Sequence, residues 1–366
     1  MTYTVLARKW RPQSFNDVIG QDHIIQAMKY SLLTNKIHHA WILSGSRGIG
    51  KTTLARIFAM GLNCKKGLTN NPCNCCTNCK DIQNNVFLDV IELDSAFKTK
   101  VEDMRDIIDT IHYPPLYGRY KVYIFDEFHM LSKHSFNALL KILEEPPKNV
   151  QFIFATTELN KIPITIQSRC IQFHLKLIES NLIIKRLKQI LDIEKLSYDN
   201  QILPILSNAS YGSFRDALNL TDQLIAMGHL NINNLNLILG LIENKYIFQL
   251  VFSLKQKNYN QSFLLINKIC IYNINWDNII SEILLLLHNV LKYKILYSQH
   301  NKFNIDNSIQ CNKEEIYIKK ICDNFSLNDI NMLNKIFIVG RKNLCLAPTC
   351  QIGFEQIILE AISCFN

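Results

Sequence analysis

No stretch of the 366-residue chain is apolar for long enough to cross a bilayer. The richest run, Ile279 to Leu296, is interrupted by Ser281, Glu282, His288, Asn289, Lys292 and Lys294. A secretory leader is missing as well, because Met1 to Phe15 carries Arg8, Lys9 and Arg11 but no apolar centre. No internal repeat is evident, and the composition is not that of a disordered chain. These absences argue against membrane and secreted classes and leave a cytosolic protein as the expectation. In a reducing compartment the 12 cysteines are thiols or metal ligands rather than disulfides.

The residues that are present suit folded cores. Apolar residues make up 48% of the chain, and its length predicts two or three domains. A net charge of +9 and a pI near 8.9 favour contact with polyanions such as nucleic acid. The abundance of lysine alone would raise both values without any such partner.

The stretch that organises the chain is Gly45-Ser46-Arg47-Gly48-Ile49-Gly50-Lys51-Thr52-Thr53. It fits the phosphate-loop pattern G-x-x-x-x-G-K-[ST], whose glycines turn backbone N–H groups toward phosphates. The apolar run Ala40 to Leu43 predicts a strand before it. Leu54, Ala55, Ile57, Phe58 and Leu62 predict an amphipathic helix after it, with its positive dipole end on the anion. Lys51 would reach the β- and γ-phosphates, and the Thr52 hydroxyl would ligate Mg2+.

Five cysteines follow within the interval 64–79. Cys64, Cys73, Cys76 and Cys79 offer four thiolates with the two-residue gaps of knuckle turns, which suits one tetrahedral, structural zinc ion. Cys75 is the spare, although it could take the place of Cys76. Cys170, Cys270, Cys311, Cys322, Cys345, Cys350 and Cys364 lack such spacing and are expected to be buried thiols.

Downstream, strand and helix alternate. Phe87 to Leu93 predicts a strand ending at Asp94, and Val101 to Ile111 a helix with Lys98, Lys100 and Arg105 near its start. Those three cations are candidates for contact with a DNA phosphate backbone. Lys121 to Phe125 predicts a buried parallel strand running into Asp126 and Glu127. Asp126 there can hold Mg2+ through water, and Glu127 can polarise the attacking water. Ser135 to Leu143 predicts a helix stopped by Pro146 and Pro147, and Val150 to Thr157 a further buried strand. Thr157 at that carboxyl end is either a γ-phosphate contact or a strand-ending threonine. Arg169 and Arg215, taken singly, are surface arginines or helix ion pairs. From Asn181 helical periodicity dominates, and beyond about Glu243 Leu- and Ile-rich helices carry no chemical motif, the pattern of packing and assembly.

Taken together these residues resemble the motor subunits of bacterial clamp loaders, the gamma/tau family of the DNA polymerase III holoenzyme within the AAA+ ATPases. The carrying stretches are Leu6 to Pro12, Gly45 to Thr52, the four-cysteine module, Asp126 to Ser132, Phe136 to Pro147, Ala155 to Thr157, Ser168 to Cys170 and Gly212 to Ala217. The zinc module directly after the phosphate-loop helix is the most specific of them. The resemblance implies a P-loop AAA+ domain over 1–178, an α/β fold with a parallel sheet between helices and the zinc insertion at 64–79. A small helical lid over 179–242 and an all-α collar over 243–366 would follow.

It also implies roles. Ala7, Arg11, Pro12 and Ile19 would surround the adenine and ribose. Thr157 would be the sensor at the γ-phosphate, Arg215 a second sensor from the lid, and Arg169 an arginine finger completing a neighbouring subunit's ATP site. The cofactors would be ATP, Mg2+ and structural Zn2+. The partners would be the delta and delta prime subunits, further gamma copies, the sliding clamp and primer-template DNA. Polymerase chemistry itself is not visible in the residues. The chain departs from the family pattern in ending at Asn366, without the segments that extend tau forms toward the helicase and polymerase. It also departs in Phe97-Lys98, where relatives tend to carry a serine and an arginine, and in the extra Cys75. Intact Lys51, Thr52, Asp126 and Glu127 speak against a non-hydrolysing scaffold, and a Holliday-junction motor would leave the cysteines unexplained.

Overall fold

The computed structural model describes residues 4–95, 107–239, 244–270, 275–299 and 313–365. Two compact units divide the chain, Met1–Leu230 and Asn231–Asn366. Among the described residues no helix is long and apolar enough to cross a membrane.

Five parallel strands form the sheet of the first unit: β1 (Ala40–Ser44), β2 (Val90–Asp94), β3 (Lys121–Asp126), β4 (Val150–Thr156) and β5 (Ile171–His174). Their order is β2-β3-β4-β1-β5. Central strands covered on both faces read as unbroken apolar runs, and β1 and β4 are buried along their whole length. Edge strand β5 is largely exposed. Alternate side chains serve two cores. Trp41, Leu43, Val122, Ile124 and Ile153 pack with the phosphate-loop helix Lys51–Asn63, while Ile42, Tyr123, Phe125, Phe152 and Phe154 face the helix Lys133–Glu144. Because β4 lies between β1 and β3, the residues just past the carboxyl ends of those three strands meet at one edge. That adjacency builds the site.

Several local expectations shift by a residue or two. The helix Asp22–Thr34 is capped by Gln21, not Asp22, and without a side-chain cap bond. The Gln21 amide is engaged elsewhere, donating to Lys176 O at 2.7 Å and accepting from Lys176 N at 3.1 Å. Ser132 caps Lys133–Glu144 by accepting from Ser135 N at 3.2 Å. Residues 107–111 are helical, whereas Phe97, Lys98, Lys100 and Arg105 lie outside the described residues.

Strand β2 begins at Val90 rather than Phe87, since the preceding Asp89 turns inward to anchor a loop. Its buried carboxylate accepts from the backbone N–H groups of Leu116 at 2.7 Å, Tyr117 at 2.6 Å and Gly118 at 2.7 Å. Replacing Asp89 with Ala strands three donors. The expected cost is about 3 kcal/mol or more, a fall in melting temperature of roughly 6 °C or more, read by thermal denaturation.

The second unit is helical throughout its described residues, with a core that includes Leu250, Ile280, Leu287, Phe337, Phe354 and Ile358. Helices Leu327–Asn343 and Cys350–Ser363 cross closely at Gly340, where an added Cβ would meet Ile357 Cγ1 at 2.5 Å. The expectation of buried thiols fails for Cys345 and Cys350, which are exposed, while Cys170, Cys270, Cys322 and Cys364 are half-buried. Cys345 lies in a short turn and Cys350 opens the last helix, positions with no core to enter. Cys311 lies outside the described residues.

Candidate nucleotide site

At the carboxyl edge of the sheet the chain leaves β1 into the loop 45–50. Gly48 at φ 79° and Gly50 at φ 105° hold backbone conformations that side chains oppose, and Gly50 caps the helix Lys51–Asn63. The loop's remaining residues are exposed at Ser46 and Arg47 and buried at Ile49. Lys51 is 6% exposed, and its ammonium donates to Gly45 O and Ser46 O, both at 2.8 Å. Burial pushes the Lys51 pKa down, against the attraction of Glu127 and Asp126. A cation held there at a desolvation cost is strongly complementary to an incoming phosphate.

Strand β3 delivers Asp126, whose Oδ2 accepts from the Thr52 hydroxyl at 2.9 Å. These two oxygens, from the loop helix and from β3, are the pair that would hold Mg2+, and their contact fits that use. Glu127 follows in a left-handed conformation, φ 47° and ψ 46°, costly for a residue with a side chain. From the end of β4 the Thr157 hydroxyl donates to Glu127 Oε2 at 2.9 Å. The threonine, left open between two readings by the sequence, therefore touches the second carboxylate of the acid pair.

Cations gather on the other flank. Arg11 donates from Nε to Thr53 Oγ1 at 3.2 Å. Its pKa is lowered to about 10, first by burial and then by Arg56, with Arg215 adding to the repulsion and Glu92 and Asp126 opposing it. Arg56 is held by Glu92 through two bonds, at 2.7 and 2.8 Å. Guanidiniums so placed leave local positive charge for a polyphosphate to neutralise. Arg215 opens the helix Phe214–Ala226, and its backbone N–H reaches Gly48 O at 3.4 Å.

Ala7, Pro12 and Ile19 are half-buried. The helix Leu6–Lys9 packs on Phe214–Ala226, Leu6 N donates to Asp222 Oδ2 at 2.8 Å, and the Trp10 indole donates to Glu194 Oε1 at 2.8 Å. Gly20, next to Ile19, lies against Ile178 and Leu182. The segment is thus tied to the helices that follow the sheet.

Arg169 is not at this edge. It precedes β5, whose first residue pairs near the start of β1, so it lies at the amino edge of the sheet. There it donates to Thr165 O at 2.6 Å and pairs with Glu144 at 2.8 Å, its side chain 34% exposed.

The four sulfurs of Cys64, Cys73, Cys76 and Cys79 lie within 4.8 Å of one another, and Cys75 is exposed outside the group. Cys76 is therefore the member, not Cys75. Backbone N–H groups of Cys76 and Cys79 point at the sulfurs of Cys73 and Cys76, both at 3.4 Å. The N–H groups of Cys75 and Cys76 hold the Cys73 thiol down to about 5. A sulfur-only set with amide donors around it fits a metal ion, and with no open position it fits a structural one.

Sequence reasoning missed the Arg56–Glu92 pair, Ser213 and a role for His129. Ser213 packs so closely that a Cβ on Gly48 would meet its Oγ at 2.1 Å. Its signal was the Ser-x-x-Asp spacing to Asp216, a helix start. Changing Gly48 to Ala is expected to weaken ATP binding by roughly tenfold or more through φ strain and this clash, read by titration with a fluorescent ATP analogue.

The sheet order, the phosphate loop and the acid pair define a P-loop ATPase of the AAA+ class. Family models match in succession along the chain. That for DNA polymerase III, delta subunit, covers residues 20–179, that for the clamp loader subunit ATPase lid domain covers 182–230, and that for subunits gamma and tau domain III covers 230–366. DNA polymerase III subunit gamma of Buchnera aphidicola from Acyrthosiphon pisum is 46% identical over 366 residues, 99% of each chain. Subunit tau of Escherichia coli K12 is 42% identical over 365 residues, 99% of this chain and 56% of the relative. Among solved structures, the Thermotoga maritima RuvB Holliday junction branch migration motor has a TM-score of 0.48 at 18% identity, over 67% of this chain and 78% of that one. The chain belongs to the gamma/tau subunit family of DNA polymerase III.

Proposed function

We propose that this protein is an ATP-driven clamp-loader subunit. It assembles with delta, delta prime and further copies of itself, opens a sliding clamp and closes it on primer-template DNA. The carrying observation is the separation of parts. Lys51, Thr52, Asp126, Glu127 and Thr157 converge at one edge of the sheet beside Arg215, while Arg169 stands at the other. An arginine so placed serves a neighbour's nucleotide, not its own, and nucleotide state is thereby coupled to contact between subunits.

Within one site the loop amides, Lys51 and Arg215 bind and orient the triphosphate. Thr52 and Asp126 would hold Mg2+, which when bound would supply charge neutralisation at the phosphates. Glu127 orients the attacking water, and Thr157 and Arg11 complete the polar wall. Ala7, Pro12 and Ile19 border the base. The neighbour's Arg169 meets charge that spreads over the γ-phosphoryl oxygens, and its loss after hydrolysis loosens the junction. The cysteine module would hold Zn2+ structurally, residues 179–242 form the lid, and residues 243–366 form the collar. Lys98, Lys100 and Arg105 remain candidates for the DNA backbone.

Changing Glu127 to Gln in the reconstituted complex tests the reading. ATP binding and clamp capture should persist while turnover on primed DNA falls by roughly a hundredfold or more, and the clamp should stay trapped. Undiminished turnover and release would refute it.

A further inference from the structure

The sequence motif Asp126-Glu127-Phe128-His129 supplies one group that the hydrolytic set leaves unused. His129 lies on the 3-10 turn Phe128–Met130 directly after the acid pair, its side chain 6% exposed. Phe128 anchors that turn, stacking on Phe154 of β4 with ring centroids 4.0 Å apart. The imidazole is thereby held against the end of β4. Its Nδ1 lies 3.4 Å from Glu127 Oε2 and 3.1 Å from Thr156 Oγ1, and its Nε2 lies 3.6 Å from Glu158 Oε1. The charged groups facing the ring are thus Glu127 and Glu158, the latter paired with Lys161 at 2.9 Å.

With its proton on Nδ1, the ring presents a donor edge to both Thr156 and Glu127. A carboxylate only accepts, so a ring nitrogen facing Glu127 must be a donor to be favourable. Thr156 Oγ1 already accepts from Glu158 N at 3.1 Å and has a second lone pair for the same Nδ1–H. Glu127 Oε2 then accepts the Thr157 hydroxyl at 2.9 Å and faces the imidazole edge at 3.4 Å, which leaves Oε1 for water.

We propose that His129 is a positioning residue for ATP hydrolysis, packed against the Glu127 carboxylate at the end of β4 so that its free oxygen is aimed at the attacking water. A hydrogen bond from Thr157 on one side and the buried imidazole edge packed at 3.4 Å on the other restrict the rotamer of the carboxylate. Thr157 alone fixes only a point of attachment, and Thr157 is itself assigned to the γ-phosphate. His129 keeps Glu127 in place when Thr157 turns to the substrate. The strained backbone of Glu127 makes a second restraint necessary, because the left-handed turn gives the side chain no support from a regular element.

This inference rests on Glu127 being the water-orienting carboxylate, and the experiment separates the two. Steady-state ATP turnover is measured for the full chain in complex with its partner subunits and primed DNA, comparing wild type with His129→Ala, His129→Asn and Glu127→Gln. His129→Ala should lower kcat by about ten- to hundredfold with the KM for ATP unchanged, because misplacing a catalytic group costs on that scale without touching the binding surface. Asparagine, whose amide can donate from nearly the Nδ1 position, should recover most of the loss. Unchanged kcat in His129→Ala, a loss expressed in KM alone, or an asparagine variant as impaired as alanine would overturn the proposal while Glu127→Gln stays inactive. An active Glu127→Gln would instead remove the role assigned to Glu127, and the inference with it.

Discussion

Complexes assembled with Arg169→Ala should lose ATP turnover by about a thousandfold, and a mixture of Arg169→Ala with Lys51→Ala should regain a measurable part of it. Strand β1 has five residues, and at about 3.3 Å per residue it sets the two edges of the sheet roughly 16 Å apart, farther than an arginine side chain extends. Arg169 therefore cannot complete the site built on its own Lys51. In a mixed assembly, a chain with an intact phosphate loop but no finger can adjoin a chain with an intact finger but no lysine, and that junction holds a whole site. Separate variants are each silent for opposite reasons. Turnover of the mixture no higher than that of either variant would show that the finger acts within its own chain, or not at all. The Glu144 pair is no obstacle to transfer, since an exposed ion pair of this type contributes about 1 kcal/mol or less and a desolvated phosphate easily displaces it.

Removing metal should have a comparably large effect on structure. Four thiolates around zinc at about 2.3 Å sit roughly 3.8 Å apart, a spacing compatible with sulfurs that lie within 4.8 Å of one another. Cys64 and Cys79 are fully buried and belong to the same core as Met60, Leu62 and Ile82. Burial pushes the Cys79 thiol up, so without a cation the group is held as neutral thiol and the cluster carries less negative charge. A dication reverses that preference, which makes metal uptake release protons. Stripping the purified protein with a strong chelator should expose the four thiols together to an aromatic disulfide reagent. The helix Thr77–Gln83, whose cap is Cys76, should melt in the same step. The phosphate-loop helix ends at Asn63, one residue before the first ligand, so ATP affinity should also fall, though less than thiol protection. Protein that contains no metal as purified, or whose thiols react one by one at unchanged rates after chelation, would contradict this.

The parts legible in the sequence share a property. The phosphate loop, the acid pair, the cysteine spacing and the stop at Pro146-Pro147 are written within one turn or one element, where chain connectivity places the groups. Short range makes them readable. The burial of β1 and β4 was equally plain, because a strand covered on both faces must be apolar at every position. Boundaries were less so. Gln21 rather than Asp22 caps its helix because the decisive partner, Lys176, is remote in sequence. Asp89 shortens β2 for the sake of a loop that comes much later in the chain.

Sequence alone thus determined the chemistry available to the chain, a phosphate cradle with two carboxylates and a set of thiolates, since each depends on neighbours along the backbone. Tertiary structure decided who meets whom. Inserting β4 between β1 and β3 brings Thr157 onto Glu127 and His129 under it, parallel pairing of β5 with β1 sends Arg169 to the far edge, and folding of the knuckles selects Cys76 over Cys75. Those outcomes depend on strand order and register, which arise from packing across the whole sheet and leave no mark on any single stretch of residues.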